Sequence, residues 1–208
     1  MSQSARDPTP SSLATCTVWF VEVVQDAQAG DMLAFDTLFQ YYNARVCTYL
    51  ARMVGNDEEG RDLAQETFLK VWRALPGMDD ESHFESWLYR IATNTAIDYL
   101  RRQKFHWALW GEHEEYDQSE YMSMAGPEDK IEEAEQIKLA LANLSPQYRA
   151  CLLLQLVAGF TQREIARTLN ISEKSVSIYV SRGCEQFRQA YQRLKSEKEA
   201  PEKGRVAK

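Results

Sequence analysis

Between Thr161 and Val180 the apolar and helix-capping residues crowd so closely around a turn that few backbones satisfy them together. Ile165, Ala166 and Leu169 recur at helical spacing, Ile171 falls in the break, and Val176 and Val180 resume the same period. Thr161 precedes Glu164 by the interval at which the two side chains cap a helix start reciprocally. Asn170-Ile171-Ser172 reads as a tight turn, and Ser172 is placed to cap the helix that follows. This pattern predicts two short helices sharing one small core, a helix-turn-helix; an unrelated helical hairpin is the competing reading. Just upstream, Ser145-Pro146 reads as an N-cap with proline at the first helical position, opening the helix PQYRACLLLQLVAG.

The N-terminal half is helical in its period as well. Leu38, Tyr42, Val46, Tyr49, Leu50 and Met53 mark one apolar stripe, with Ala34, Phe35 and Phe39 beside it, and Gly55-Asn56-Asp57 breaks the pattern. A second helix is expected over about 58–75, with Ala64, Phe68, Val71, Trp72 and Leu75 facing inward, and Pro76-Gly77 ending it. A third, over about 83–103, has Phe84, Trp87, Leu88, Ile91, Ala92, Thr95, Ile97 and Leu100 on a broad apolar face. No stretch alternates as a strand should. The fold class is therefore all-α: two small helical domains joined by an acidic linker, the C-terminal one a helix-turn-helix. Their expected bounds are 20–104, a linker at 105–130, and 131–195, with frayed ends at 1–15 and 196–208.

Charge decides what such a chain can touch. With 31 acidic and 24 basic residues, the net of −7 argues at first against a nucleic-acid partner. Residues 111–135, however, hold ten acids and one lysine, a net of −9, which leaves 21 acids and 23 bases, a net of +2, elsewhere. The acidic stretch reads either as an ordinary charged loop or as a tether that keeps two more basic modules apart. Segment 136–184 has six bases and two acids, a net of +4, so the helix-turn-helix module is basic although the protein is not.

Three surfaces carry candidate function. On the second helix, Asp62, Gln65, Glu66, Leu69 and Arg73 point away from the Phe68/Val71 stripe; Leu69 is either an unremarked exposed leucine or the apolar anchor of a protein-docking face. The third helix carries Trp87, Tyr89, Arg90 and Asn94 ahead of Arg101, Arg102 and Lys104. Basic residues at a helix C-terminus suit the dipole, while aromatic groups interleaved with bases suit unstacked single-stranded nucleic acid. Trp87 is expected largely in the core, and for Tyr89, Arg90 and Asn94 both DNA contact and plain exposure remain open. The last helix would present Glu173, Lys174, Ser177, Ile178, Ser181, Arg182 and Glu185 to a major groove, where lysine, serine and arginine meet phosphates or base edges and Ile178 meets a thymine methyl. Its first turn supplies free N–H groups for a phosphate.

Other classes find little support. Cys16, Cys47, Cys151 and Cys184 form no CxxC pair, and neither they nor His83, His106 and His113 have zinc spacing, so free thiols and no metal are expected. His106 and His113 do lie near acidic side chains. No apolar run approaches the length of a membrane span, and MSQSARDPTPSS lacks an export pattern, so a cytoplasmic chain without membrane insertion is expected. No GxxxxGK[ST], nucleophile elbow or HExxH occurs. No cofactor and no enzymatic activity are expected.

AGDMLAFDTLFQYY, DLAQETFLKVWRAL and FESWLYRIATNTAIDYLRRQK resemble region two, and LSPQYRACLLLQLVAGFTQREIARTLNISEKSV resembles region four, of bacterial sigma-70 family factors of the extracytoplasmic-function group. The resemblance spans about 20–195, with the motifs in the family's order. It implies a promoter-specificity subunit that binds core RNA polymerase, recognises –10 and –35 elements and supports strand opening. Asp62, Gln65, Glu66, Leu69 and Arg73 would dock on the clamp helices of the largest subunit. Phe84 and the loop before it, with Trp87, Tyr89, Arg90 and Asn94, would capture an unstacked –10 base, while Arg101, Arg102 and Lys104 hold the backbone. Ser172, Lys174, Ser175, Ser177, Ile178, Ser181 and Arg182 would read the –35 element, while other faces of the module meet the polymerase flap. An anti-sigma factor is a further partner that the family implies and no residue here specifies. One departure stands out. Arg182 is retained, but Ser177, Tyr179 and Cys184 occupy positions usually basic in the family, which implies weak –35 binding.

Two rivals are a free-standing regulator, in which the first module dimerises or binds a ligand, and a pure interaction protein such as an anti-sigma factor. The docking stripe and strand-binding pattern argue against the first, and the basic recognition helix argues against the second. A helical-bundle enzyme ranks behind both, because Asp62 and Glu66 have no third group poised with them.

Overall fold

The computed structural model describes residues 13–110 and 128–202, with side chains for 19–104 and 133–196. Its helices are α1 (Leu13–Gln28), α2 (Met32–Val54), α3 (Asp57–Ala74), α4 (Phe84–Trp110), α5 (Glu128–Ala142), α6 (Pro146–Leu156), α7 (Gln162–Leu169) and α8 (Glu173–Glu202). Two single 3-10 turns, Leu75–Gly77 and Glu81–His83, connect α3 to α4. No strand occurs among the described residues.

Local chemistry sets most helix ends. Asp31 accepts from the Leu33 and Ala34 amides to start α2, and Asn56 accepts from those of Glu58 and Glu59 to start α3. Between them Gly55 closes α2 at φ +83°, a left-handed conformation suited to glycine. α2 and α3 then cross so closely that a β-carbon added at Gly60 would lie 2.5 Å from the Ala51 Cα.

α1 is a helix that periodicity did not reveal. Thr17-Val18-Trp19-Phe20-Val21 is β-branched and aromatic, a composition unfavourable to helix on its own. Tertiary contact decides it: Val24 and Ala27 are buried, Phe20 meets Tyr42 and Phe84 edge-on, and Gln28 Nε2 donates to the Leu75 and Met78 carbonyls. α4 runs to Trp110, past the helix end expected near Gln103. Most of the acidic stretch, and His113 with it, lies outside the described residues, as does the His106 side chain.

The helix-turn-helix forms as its spacing requires. Thr161 and Glu164 make the reciprocal capping box, Asn170 turns the chain at φ 53°, and the Ser172 hydroxyl accepts from the Ser175 amide to start α8. Ile165, Ala166 and Val176 are buried between α7 and α8. The two halves share one continuous apolar core, because α5 and α6 rest on α2 and α7 rests on α4.

Candidate nucleic-acid interface

The α3 stripe faces outward. Asp62, Gln65, Leu69 and Arg73 are exposed, Leu69 at 58% despite being apolar, whereas Phe68 and Val71 on the opposite side are buried. Glu66 is half-buried and engaged: its carboxylate pairs with Lys70 Nζ at 2.7 Å, and Lys70 in turn donates to Thr95 Oγ1 of α4 at 3.0 Å. The α3 stripe is thereby linked to the helix carrying the strand-binding candidates.

On α4 the candidates divide. Arg90, Asn94, Arg101, Arg102 and Lys104 are exposed. Arg101 pairs with Asp98 at 3.4 Å, and Arg102 Nε donates to the Asp98 carbonyl at 3.3 Å, so both heads are held on the outer face. Trp87 is half-buried and packs against Phe84 with ring centroids 6.0 Å apart. Tyr89 is fully buried, which corrects both readings open for it, DNA contact and plain exposure; Phe84 is fully buried as well, as its place on the apolar face predicts, and so offers no ring surface to a –10 base. Phe84 sits among Phe20, Tyr42 and Trp87, a core position set by the broad apolar face of α4. Tyr89 is covered from two directions, by Tyr49 of α2 at 5.2 Å and by Phe160 of the second module at 5.1 Å. Its hydroxyl finds no partner among the described residues.

The turn before α4 is organised by Asp80. Its carboxylate accepts from the Ser82 amide and hydroxyl, and its second oxygen lies 2.7 Å from His83 Nδ1. Those Ser82 and His83 hydrogen bonds hold the Asp80 carboxyl below its ordinary value. The other ring nitrogen of His83, Nε2, faces outward toward α7, where a guanidinium can only donate to it. That nitrogen takes a hydrogen bond from Arg167 of α7 at 2.9 Å. Asp80, His83, Trp87 and Arg90 line a cleft of about 290 Å³ whose far wall is Arg167 and Thr168. Sequence reasoning missed Asp80 and Arg167; the Asp-x-Ser spacing before a helix was the available signal for the first.

The recognition face of α8 is open. Ser172, Lys174, Ser177, Ser181 and Arg182 are exposed, and Ile178 is 40% exposed. Ser175 is half-buried and its hydroxyl lies 2.8 Å from that of Ser172, so it serves the cap. Tyr179 packs on Tyr148 of α6 with centroids 5.1 Å apart, and Cys184 is half-buried against the core. Two of the three departures in α8 thus point inward, and only Ser177 lies on the open face. Gly183 is buried where α8 approaches α6: an added β-carbon would lie 3.4 Å from the Tyr148 carbonyl oxygen.

Among the described residues no group of three or more His, Cys, Asp or Glu is placed to hold a metal ion. None of the described helices is long and apolar enough to cross a membrane.

Comparison with known proteins agrees with this layout. Residues 38–106 match the family model for sigma-70 region 2, and residues 134–187 match that for sigma-70 region 4. The chain is 30% identical over 176 residues to the ECF RNA polymerase sigma factor SigW of Bacillus subtilis, covering 79% of this chain and 92% of that one. It is 33% identical over 169 residues to the sigma factor CarQ of Myxococcus xanthus, covering 81% and 95%. Its fold resembles that of the sigma factor RpoE of Bartonella quintana, solved with the anti-sigma factor NepR, at a TM-score of 0.63 and 18% identity over 76% of this chain and 96% of that one. The exposed α3 stripe, the basic outer face of α4 and the open helix of a helix-turn-helix therefore belong to a member of the extracytoplasmic-function group of sigma-70 factors, a promoter-specificity subunit of RNA polymerase that acts in transcription initiation.

Proposed function

We propose that the three surfaces divide the work of initiation. The α3 stripe of Asp62, Gln65, Leu69 and Arg73, with Glu66 positioned through Lys70, docks on the clamp helices of the polymerase largest subunit. The outer face of α4 holds the –10 strand: Asn94 and Arg90 lie beside the cleft that takes an unstacked base, and Arg101, Arg102 and Lys104 hold its backbone. The α8 face of Ser172, Lys174, Ser177, Ile178, Ser181 and Arg182 reads the –35 element, while the rest of that module meets the flap. Unstacking a base costs a few kcal/mol, and binding in the cleft offsets it, so strand opening needs no covalent chemistry or cofactor from this chain. The chain works in the cytoplasm, and an anti-sigma factor, as in the RpoE complex, is a fitting regulator.

The observation that carries this reading is the segregation of surfaces: an apolar side chain 58% exposed within a charged stripe on α3, separate from the basic outer face of α4 and from the open α8 face with Lys174 and Arg182. A large exposed apolar group among charges suits a protein partner rather than DNA. The test is reconstitution with purified core polymerase and promoter DNA. Run-off transcription that depends on the added chain, and is lost when Leu69 is changed to alanine together with Glu66→Arg, is the expected result. Specific DNA binding without polymerase, and no stimulation with it, would overturn the reading.

A further inference from the structure

α8 outruns the module it belongs to. The match to sigma-70 region 4 ends at residue 187, whereas the helix continues without a break to Glu202. The continuation has its own support. Cys184, Phe187, Ala190, Tyr191 and Leu194 are half-buried along one side, α5 packs on α8, and the Phe187 and Tyr191 rings stack 6.0 Å apart. With that side fixed, the helical period turns Arg188, Arg193 and Lys195 to solvent, and all three are exposed. Lys174, Ser181, Arg188 and Lys195 recur every seven residues, a stripe that drifts only about 20° at each step. The bases of the continuation therefore prolong the open face that carries the recognition candidates.

Charge is spread unevenly along this face. Residues 172–182 hold two bases, Lys174 and Arg182, and the acid Glu173, while residues 183–196 hold three bases and the single acid Glu185. Glu185 pairs with Arg188 at 2.8 Å, and Arg193 and Lys195 enter no ion pair among the described residues. The dipole of α8 does not account for these cations. Its pull fades within the last turn of a helix, and they stand about two to four turns before Glu202.

We propose that Arg188, Arg193 and Lys195 form a second DNA contact, which holds the phosphate backbone bordering the –35 element while Lys174 to Arg182 read its bases. The proposal rests on the reading of α8 as the –35 helix and carries it past residue 187. Lys174 and Arg182 are about 12 Å apart along the helix, the width of a major groove. Arg188 to Lys195 lie about 21–32 Å from Lys174, past the groove and over the backbone beyond it. A straight helix leaves a straight duplex quickly, so full contact requires DNA that bends toward α8. Flanking steps that bend easily are thus favoured although no side chain touches their bases. The two parts of the helix divide the work, since phosphate contacts add affinity and fix position but carry no sequence information. The continuation supplies the charge that Ser177 withholds from the reading face.

The test uses holoenzyme reconstituted with core polymerase, and a promoter duplex enriched from a random DNA pool by the wild-type holoenzyme. Affinity is measured between about 50 and 200 mM potassium chloride. Wild type is compared with Arg188→Ala/Arg193→Ala/Lys195→Ala, with the charge-keeping Arg188→Lys/Arg193→Lys/Lys195→Arg, and with Arg182→Ala. Circular dichroism melting and a core-binding titration establish that each variant is folded and assembles. The alanine variant should bind about tenfold more weakly at physiological salt, with a log–log salt slope smaller by about two to three. The charge-keeping variant should restore both. The loss should be equal on a duplex with scrambled –35 bases, whereas Arg182→Ala should weaken only the intact element. Hydroxyl-radical footprinting should place the lost protection beside the –35 element. Unchanged affinity and slope in the alanine variant, no restoration by the charge-keeping one, or lost protection elsewhere on the promoter would each overturn the proposal. If Arg182→Ala and scrambling both leave binding unchanged, the –35 reading of α8 falls instead, and the salt slope of the alanine variant alone decides whether the continuation touches DNA.

Discussion

Single residues carry more of this fold than their size suggests. Gly60 is required because α2 and α3 cross there with no room for a side chain, the obstruction being Ala51 backbone that cannot move aside. Gly60→Ala should therefore cost about 2–3 kcal/mol in urea unfolding. Gly183→Ala, where the nearest atom is 3.4 Å away, should be close to neutral once the helix preference for alanine is included. Arg149 is the opposite case, a charge retained inside. Burial pulls its pKa down to about 10, which still leaves it charged at neutral pH, and its partners are carbonyl oxygens near the ends of two helices. Arg149→Met would keep much of the side-chain bulk and leave those carbonyls unpaired, for an expected loss of about 2–3 kcal/mol in the same assay. Tyr89 shows how position overrides chemistry. It has the composition of a stacking residue, yet Tyr49 and Phe160 enclose it.

At the scale of elements, α7 is eight residues long and depends on its cap. The Thr161 amide and hydroxyl hold the Glu164 carboxyl below its ordinary value, so the ionised form is the one the fold favours. That contribution is complete above the ordinary glutamate value of about 4.3 and is lost as pH falls through the lower folded value. Glu164→Gln should consequently be less stable than wild type at neutral pH, with the two unfolding curves converging in acid. Thr161→Ala should cost about 1 kcal/mol at neutral pH. α8 offers a functional counterpart. Arg182 is exposed and bonds only loosely to the Tyr148 hydroxyl, at 3.4 Å. Arg182→Ala should leave the melting temperature within a degree or two and reduce initiation from –35-dependent promoters by about tenfold. Equal transcript yield from the variant would show that Arg182 does not read the element.

Across the whole molecule, charge and packing act in the same direction. The net of −9 within residues 111–135 leaves only +2 for everything else, too little to draw the chain to DNA by itself. With Arg167 walling the cleft at His83 as well, the free chain should bind promoter duplex weakly in a mobility-shift assay at physiological salt, and core polymerase should raise its promoter affinity by at least about a hundredfold. Strong promoter binding by the free chain would contradict the charge argument.

The sequence by itself determined the helices from α2 onward that follow an apolar period, and the helix-turn-helix, because those depend on neighbours. Thr161 with Glu164, Ser172 before α8 and the spacing of Ile165, Ala166, Val176 and Val180 are local facts that hold in any surroundings. The outward stripe at Asp62, Gln65, Leu69 and Arg73 was legible for the same reason, since helical period sets which side chains share a face. Tertiary structure alone decided what those faces meet. α1 is helical only because a core exists for Val24 and Ala27 to enter, and Phe84 is core only because Phe20 and Tyr42 converge on it. Tyr89 is hidden by a ring 71 residues further along the chain, and Arg167 reaches a histidine 84 residues before it. Contacts at that separation depend on how two modules pack together, and no local periodicity records that.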